Sequence, residues 1–173
     1  GVGLLVGASG TGKTTLLNQF GTHIPPIWQD RRTVASHFEN VKQVRDRFYA
    51  VGFNDIPSWI KPYSVLSTGE RFRVDMARVL GKGAVVDEFT SVVSRPVAKS
   101  ASTAIRRWLD REENSDASMV FATCHEDVID YLRPDWVVFT DSGDLLMPYE
   151  RSPRQWWAGH VNSTLEGVIE WRQ

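Results

Sequence analysis

The stretch Gly7-Ala8-Ser9-Gly10-Thr11-Gly12-Lys13-Thr14 constrains this chain more than any other, because it fits the phosphate-loop pattern G-x-x-x-x-G-K-[ST] without a mismatch. That pattern needs a buried strand before it and a helix after it, and both flanks have the right character. Leu4-Leu5-Val6 is a short apolar run suited to a buried parallel strand, and Thr15-Leu16-Leu17-Asn18-Gln19-Phe20 reads as the first turns of a helix. Gly7, Gly10 and Gly12 permit backbone angles and a closeness of approach that a side chain would forbid. The N–H groups from Gly7 through Thr15, those of Ala8, Ser9 and Thr11 among them, therefore form the candidate phosphate cradle. Lys13 is placed to reach the β- and γ-phosphates, and the Thr14 hydroxyl to ligate Mg²⁺.

A length of 173 residues suits one domain that buries about two-thirds of the surface its unfolded chain would expose. A formal net charge of −1 demands neither nucleic acid nor an anionic membrane as a partner, so nucleic-acid binding is possible through a local basic patch but is not indicated. Cys124 is the single cysteine, which excludes an intrachain disulfide and fits a reducing, cytoplasmic compartment. No apolar run approaches the length that crosses a bilayer, so no membrane insertion is expected. The chain begins only a few residues before the phosphate loop, so either the protein is minimal or upstream sequence is missing.

Beyond the first helix, Gly21 to Pro26 is a break, and Ile27-Trp28-Gln29-Asp30 reads as a strand end leading into a polar loop. Val34, Phe38, Val41, Val44 and Phe48 recur at helical steps and predict one amphipathic helix over 34–49. After a proline-containing connection, a second helix follows Ser67 and stops near Gly81 and Gly83. Ala84-Val85-Val86 is a strand ending in two acids, and Pro96 to Asp110 is a helix with Ala98, Ala101, Ile105, Trp108 and Leu109 as its inner face. Strands over 119–124 and 136–139 flank a short helix over 126–132, and Leu145-Leu146-Met147 is placed to return antiparallel after the turn at 141–144. This alternation predicts an α/β fold: a mainly parallel sheet flanked by helices, with its chemistry at the carboxyl ends of the strands. Cys124 reads as a small buried residue, Arg106, Arg107 and Arg111 as a solvated basic face, and Trp156, Trp157 and Trp171 as core closure.

The acids that end the apolar strand supply what a phosphate loop needs as its companion. Asp87 is the candidate Mg²⁺ residue, and Glu88 the candidate general base or water-orienting group opposite the γ-phosphate. The most discriminating stretch is Leu66-Ser67-Thr68-Gly69-Glu70-Arg71, followed by a basic and apolar helix that ends Ala77-Arg78-Val79-Leu80. It resembles the signature of the ABC ATPase family, L-S-G-G-[QE] followed by a helix closing on A-R-x-L. The Ser67 hydroxyl, the Gly69 backbone and the helix N-terminus behind them form an anion site suited to a γ-phosphate.

Further positions are similar to that family in order along the chain, from about Gly3 to Leu146. The resemblance implies that Gln29 contacts Mg²⁺ or the attacking water, and that His125 hydrogen-bonds the γ-phosphate and keeps Glu88 and water aligned. It implies a P-loop NTPase fold with a short helical subdomain inserted at about 30–80, within a single ABC-type ATPase domain over 1–173. Residues 148–173 are a C-terminal extension of unknown role. The implied activity is Mg²⁺-dependent ATP hydrolysis with two nucleotides sandwiched in a homodimer or in a pairing with another ABC-type domain.

The run from Val86 to Lys99 looks like the soluble ABC ATPases found alone or joined to acetyltransferase domains. It departs from the usual pattern at Thr68 (glycine is usual), Phe89 (proline) and Ser94 (aspartate). Two rival readings follow from the same residues. One is a nucleotide-controlled dimerisation or assembly module with slow or no hydrolysis. The other is the nucleotide-binding subunit of a transporter, against which the short segment between Gln29 and Leu66 counts.

Overall fold

The strand that feeds the phosphate loop, β1 (Val2–Val6), lies in the middle of a five-stranded sheet, and all five of its residues are buried. A computed structural model describes residues 1–147. The remaining elements are α1 (Lys13–Leu17), α2 (Val41–Ala50), α3 (Ile56–Trp59), α4 (Thr68–Val79), β2 (Lys82–Val86), α5 (Arg95–Leu109), β3 (Ser118–Thr123), α6 (Ile129–Leu132), β4 (Trp136–Phe139) and β5 (Asp144–Leu146). The sheet order is β2-β3-β1-β4-β5, parallel throughout except for the antiparallel β4–β5 pair at one edge.

Alternation along the strands divides the apolar residues between two layers, as the two-residue period of a strand requires. Val2, Leu4, Val6, Met119, Phe121 and Val137 join the larger core, which is built with residues of α2, α4, α5 and α6. Leu5, Val120, Ala122, Trp136 and Val138 join a smaller core on the opposite face with Leu17 and Phe20. Gly3 is required by that second core: a Cβ there would stand 1.9 Å from the Trp136 ring, which stacks on Phe20 at 5.5 Å.

Ile27 to Asp30 forms no strand, contrary to the sequence expectation. Trp28 turns inward instead. Its ring stacks on Tyr63 at 5.2 Å, and its indole N–H donates to Asp75 Oδ1 at 2.7 Å. The single helix expected over 34–49 is two pieces, a 3₁₀ turn at Val34–His37 and then α2. The break comes from Asn40, whose side-chain oxygen accepts the Gln43 N–H and starts a new helix. Val41 thereby becomes the first residue of α2 and is 75% exposed.

Two further expectations are corrected. Cys124 is exposed, because it lies one residue past the end of β3. Arg106 is buried, held to Asp110 one turn later and to the Arg133 carbonyl. The expected inner face of α5 (Ala98, Ala101, Ile105, Trp108 and Leu109) is buried in full. Trp156, Trp157, Trp171 and the extension 148–173 lie outside the described residues.

Candidate active site

Strand order alone gathers the predicted chemistry. Val6 pairs with Thr123 on one side and Phe139 on the other, and Val86 of the outer strand pairs with Phe121. The chain therefore leaves the carboxyl ends of four parallel strands at Gly7, Asp87, Cys124 and Thr140, all on one edge of the sheet.

Gly10 and Gly12 adopt φ of 84° and 90°, and a Cβ at Gly7 would come within 2.2 Å of Thr140 Oγ1. The loop is held by its neighbours as well as by its own backbone. Thr11 and Thr140 share a hydroxyl hydrogen bond of 2.6 Å, Thr11 donates to the Ala8 carbonyl at 2.9 Å, and the Ala8 N–H donates to Asp141 Oδ2 at 3.3 Å. Lys13 is buried along its stem, and its ammonium donates to the carbonyls of Gly7 and Ala8, both at 2.7 Å. Ser9, Gly10, Gly12, Lys13, Thr14, Thr15 and Glu88 line one cleft of about 280 Å³.

The acids enter at the cleft's rim. Thr14 Oγ1 donates to Asp87 Oδ2 at 2.7 Å, and Asp87 Oδ1 accepts the Glu88 N–H at 2.9 Å. Glu88 and Thr90 then take positive φ, 51° and 68°. A β-branched residue in that region is rare, and such a conformation costs on the order of 1–3 kcal/mol unless its surroundings impose it. They do so here, since Thr90 is fully buried and the Phe89 N–H between the two strained residues donates to the Ala122 carbonyl at 2.8 Å. Phe89 itself packs against Phe121 at 4.5 Å and Phe72 at 5.9 Å, which joins the acidic turn to α4.

His125 stands beside this turn, with Nδ1 3.3 Å from Thr90 Oγ1 and 3.1 Å from an Arg95 guanidinium nitrogen. Arg95 also grips Asp127 through two nitrogens, at 3.0 and 2.5 Å, and that guanidinium holds the Asp127 carboxyl below its ordinary range. Neither Arg95 nor Asp141 carried a sequence signal. Each lies in a loop or first helical turn, where no periodicity or pattern marks it.

Gln29, in contrast, is outside the cleft. Its side-chain oxygen accepts from Arg32 at 2.9 Å, and its N–H donates to His37 Nε2 at 3.0 Å. The signature residues are also apart from the phosphate loop of their own chain. Ser67 caps α4: its hydroxyl accepts the Glu70 N–H, and Glu70 Oε2 accepts the Ser67 N–H at 2.8 Å. That backbone bond lowers the Glu70 pKa. Ser67 and Thr68 are exposed, and a methyl at Gly69 would meet Val97 at an ordinary 3.7 Å. Packing within the chain therefore does not demand a glycine at 69, although a helical glycine costs about 0.5–1 kcal/mol relative to alanine.

Thr14 and Asp87 offer hard oxygen donors at one point, which fits Mg²⁺. Among the described residues no group of three or more His, Cys, Asp or Glu side chains stands where it could hold a metal ion. No helix among the described residues is long and apolar enough to cross a membrane.

No protein-family model matches the chain, and no curated protein matches it in sequence. Solved structures match it in fold. The dimeric ATP-binding cassette MJ0796 in a post-hydrolysis state, bound to ADP and Pi, superposes with a TM-score of 0.57 at 15% identity over 80% of each chain. A second dimeric structure of MJ0796, a bacterial ABC transporter cassette, gives 0.57 at 14% identity, again over 80% of each chain. The fold of this chain is that of ABC-type ATPase cassettes, a mostly parallel sheet flanked by helices.

Proposed function

We propose that this protein binds ATP and hydrolyses it with Mg²⁺, and that two nucleotides are sandwiched between the phosphate loop of one copy and the signature of another. The observation that carries this reading is one cleft that unites Lys13, Thr14 and Glu88 with the loop glycines, while Ser67 and Thr68 face outward elsewhere on the same chain. A glycine that the chain's own packing does not require, at 69, fits a position that a ligand on a second copy must approach closely. The dimeric state of the cassettes that share the fold supports the same arrangement.

In this reading Lys13 releases the two loop carbonyls and turns to the β- and γ-phosphates, where the loop N–H groups converge. Thr14 and Asp87 would hold Mg²⁺, which would supply neutralisation of the charge on the transferring phosphate. Glu88, aimed into the cleft by its strained backbone, orients the attacking water and takes its proton. His125 donates to the γ-phosphate. Placement and charge stabilisation supply most of the rate, as expected for phosphoryl transfer. A cytoplasmic setting suits such chemistry.

One observation favours the second reading, an assembly module with slow turnover: Arg32 holds the Gln29 side chain away from the cleft. Steady-state phosphate release by the wild type and by Glu88→Gln separates the two. The ATPase reading expects Glu88→Gln to lose turnover and to dimerise with Mg-ATP in light scattering. Equal, near-background rates in both proteins would overturn it.

A further inference from the structure

We infer that Arg95 is a positioning residue that sets the tautomer of His125 and so aims its one ring proton at the γ-phosphate, an inference that rests on the ATPase reading above. The argument begins with what each group can do. A guanidinium has five N–H donors and no acceptor, so an Arg95 nitrogen 3.1 Å from His125 Nδ1 can only donate to it. Nδ1 must then carry a lone pair, and the proton of the neutral ring lies on Nε2. Thr90 Oγ1, 3.3 Å from the same Nδ1, is compatible only as a second donor to it.

The arginine is itself fixed. Asp127 takes two of its nitrogens, at 3.0 and 2.5 Å, and the Thr90 carbonyl accepts from a guanidinium nitrogen at 3.4 Å. The His125 N–H donates to Thr123 Oγ1 at 3.1 Å, which fixes the backbone from which the ring projects. Both faces of the device are short-range: Arg95 opens α5 immediately after the acidic turn, and Asp127 lies two residues past the histidine. One side chain thus ties the turn that carries Glu88 to the loop that carries His125. A ring protonated on Nδ1 would set an N–H against a guanidinium N–H and, in the ATPase reading, offer the γ-phosphate an acceptor in place of a donor. That arrangement repels at both ends.

The test uses the ¹⁵N-labelled chain of 173 residues above the pH at which histidine titrates, with His125→Gln to assign the ring among the four histidines. Long-range ¹H–¹⁵N spectra of the wild type are expected to show a bare Nδ1 and a protonated Nε2, and Arg95→Lys, which still donates, to retain that pattern. Arg95→Met should admit the second tautomer and lower kcat about 10- to 100-fold, the fold-change that matches loss of a hydrogen bond made by a charged group. A wild-type ring protonated on Nδ1 overturns the inference without any variant, as does an Arg95→Met ring spectrum identical to that of the wild type. If the wild type shows no turnover, the ATPase reading fails by itself, and the ring spectrum still decides the role of Arg95.

Discussion

The Thr14 hydroxyl donates to the Asp87 carboxylate at 2.7 Å, across the two strand ends that carry the phosphate loop and the acidic turn. Two oxygens so joined are the natural pair of ligands for a hard cation. Replacing Asp87 with Asn keeps an acceptor for Thr14 but removes the charge that a divalent ion needs. Binding of ATP to Asp87→Asn, followed by titration calorimetry with and without Mg²⁺, should therefore lose about tenfold or more in affinity with Mg²⁺ present, as hydrogen bonds and contacts to charged groups are worth roughly 1.5–3 kcal/mol. Without Mg²⁺ the variant and wild type should bind alike.

Phe89 stands where the ABC ATPase pattern that this stretch resembles has proline, and introducing a proline there should break this protein. The Phe89 N–H donates to the Ala122 carbonyl, and its ring lies between Phe72 and Phe121. Proline removes the donor, and the ring vacates a fully buried site. Phe89→Pro should cost at least about 3 kcal/mol in urea unfolding, the scale of large-to-small changes in a core. Phe89→Leu keeps the N–H and should cost clearly less.

Asp75 of α4 accepts from the Trp28 indole at 2.7 Å and from the Tyr63 hydroxyl at 2.9 Å. Burial raises the Asp75 pKa, and burial followed by the bond to Asp75 pushes the Tyr63 phenol up to about 12. Asp75→Leu leaves both donors without their acceptor, at about 1–3 kcal/mol for each unsatisfied group. The expected result is a loss of roughly 2 kcal/mol or more on urea unfolding, with the Trp28 indole N–H resonance displaced. Because Trp28 precedes Gln29, release of the ring should also change the Gln29 backbone shifts.

Glu70 closes the cap of α4, and the Ser67 N–H, the largest cause, lowers its pKa. A carboxyl depressed on folding contributes stability that is present above its unfolded pKa, about 4.3, and is lost as pH falls through the folded value. Glu70→Gln should therefore show little dependence on this group. The wild type should lose stability relative to the variant as pH falls below about 4.3, and chemical denaturation at pH 7 and at pH 3 checks the sign.

Much of the architecture is legible along the chain, for a local reason. Strands that alternate or run apolar, and helices with one apolar stripe, declare themselves through the periods of their own backbones, as α5 and the five strands do. The misreadings occur where a distant partner outweighs the local pattern. Trp28 leaves its expected strand for Asp75 and Tyr63, and Asn40 divides a helix whose apolar spacing is continuous.

The phosphate-loop and signature residues were also readable, since each forms a contiguous pattern along the chain. Sequence alone determined a strand, a glycine-rich loop and a helix at Gly7 to Thr14, two acids after an apolar strand, and a helix behind Ser67. Their meeting is decided by tertiary structure. Strand order β2-β3-β1-β4 brings Asp87 to Thr14, Thr140 to Thr11 and Arg95 to His125 across separations that no period spans. Hydrogen bonds and side-chain geometry act over a few ångströms in space, and only the folded sheet sets which residues lie that close.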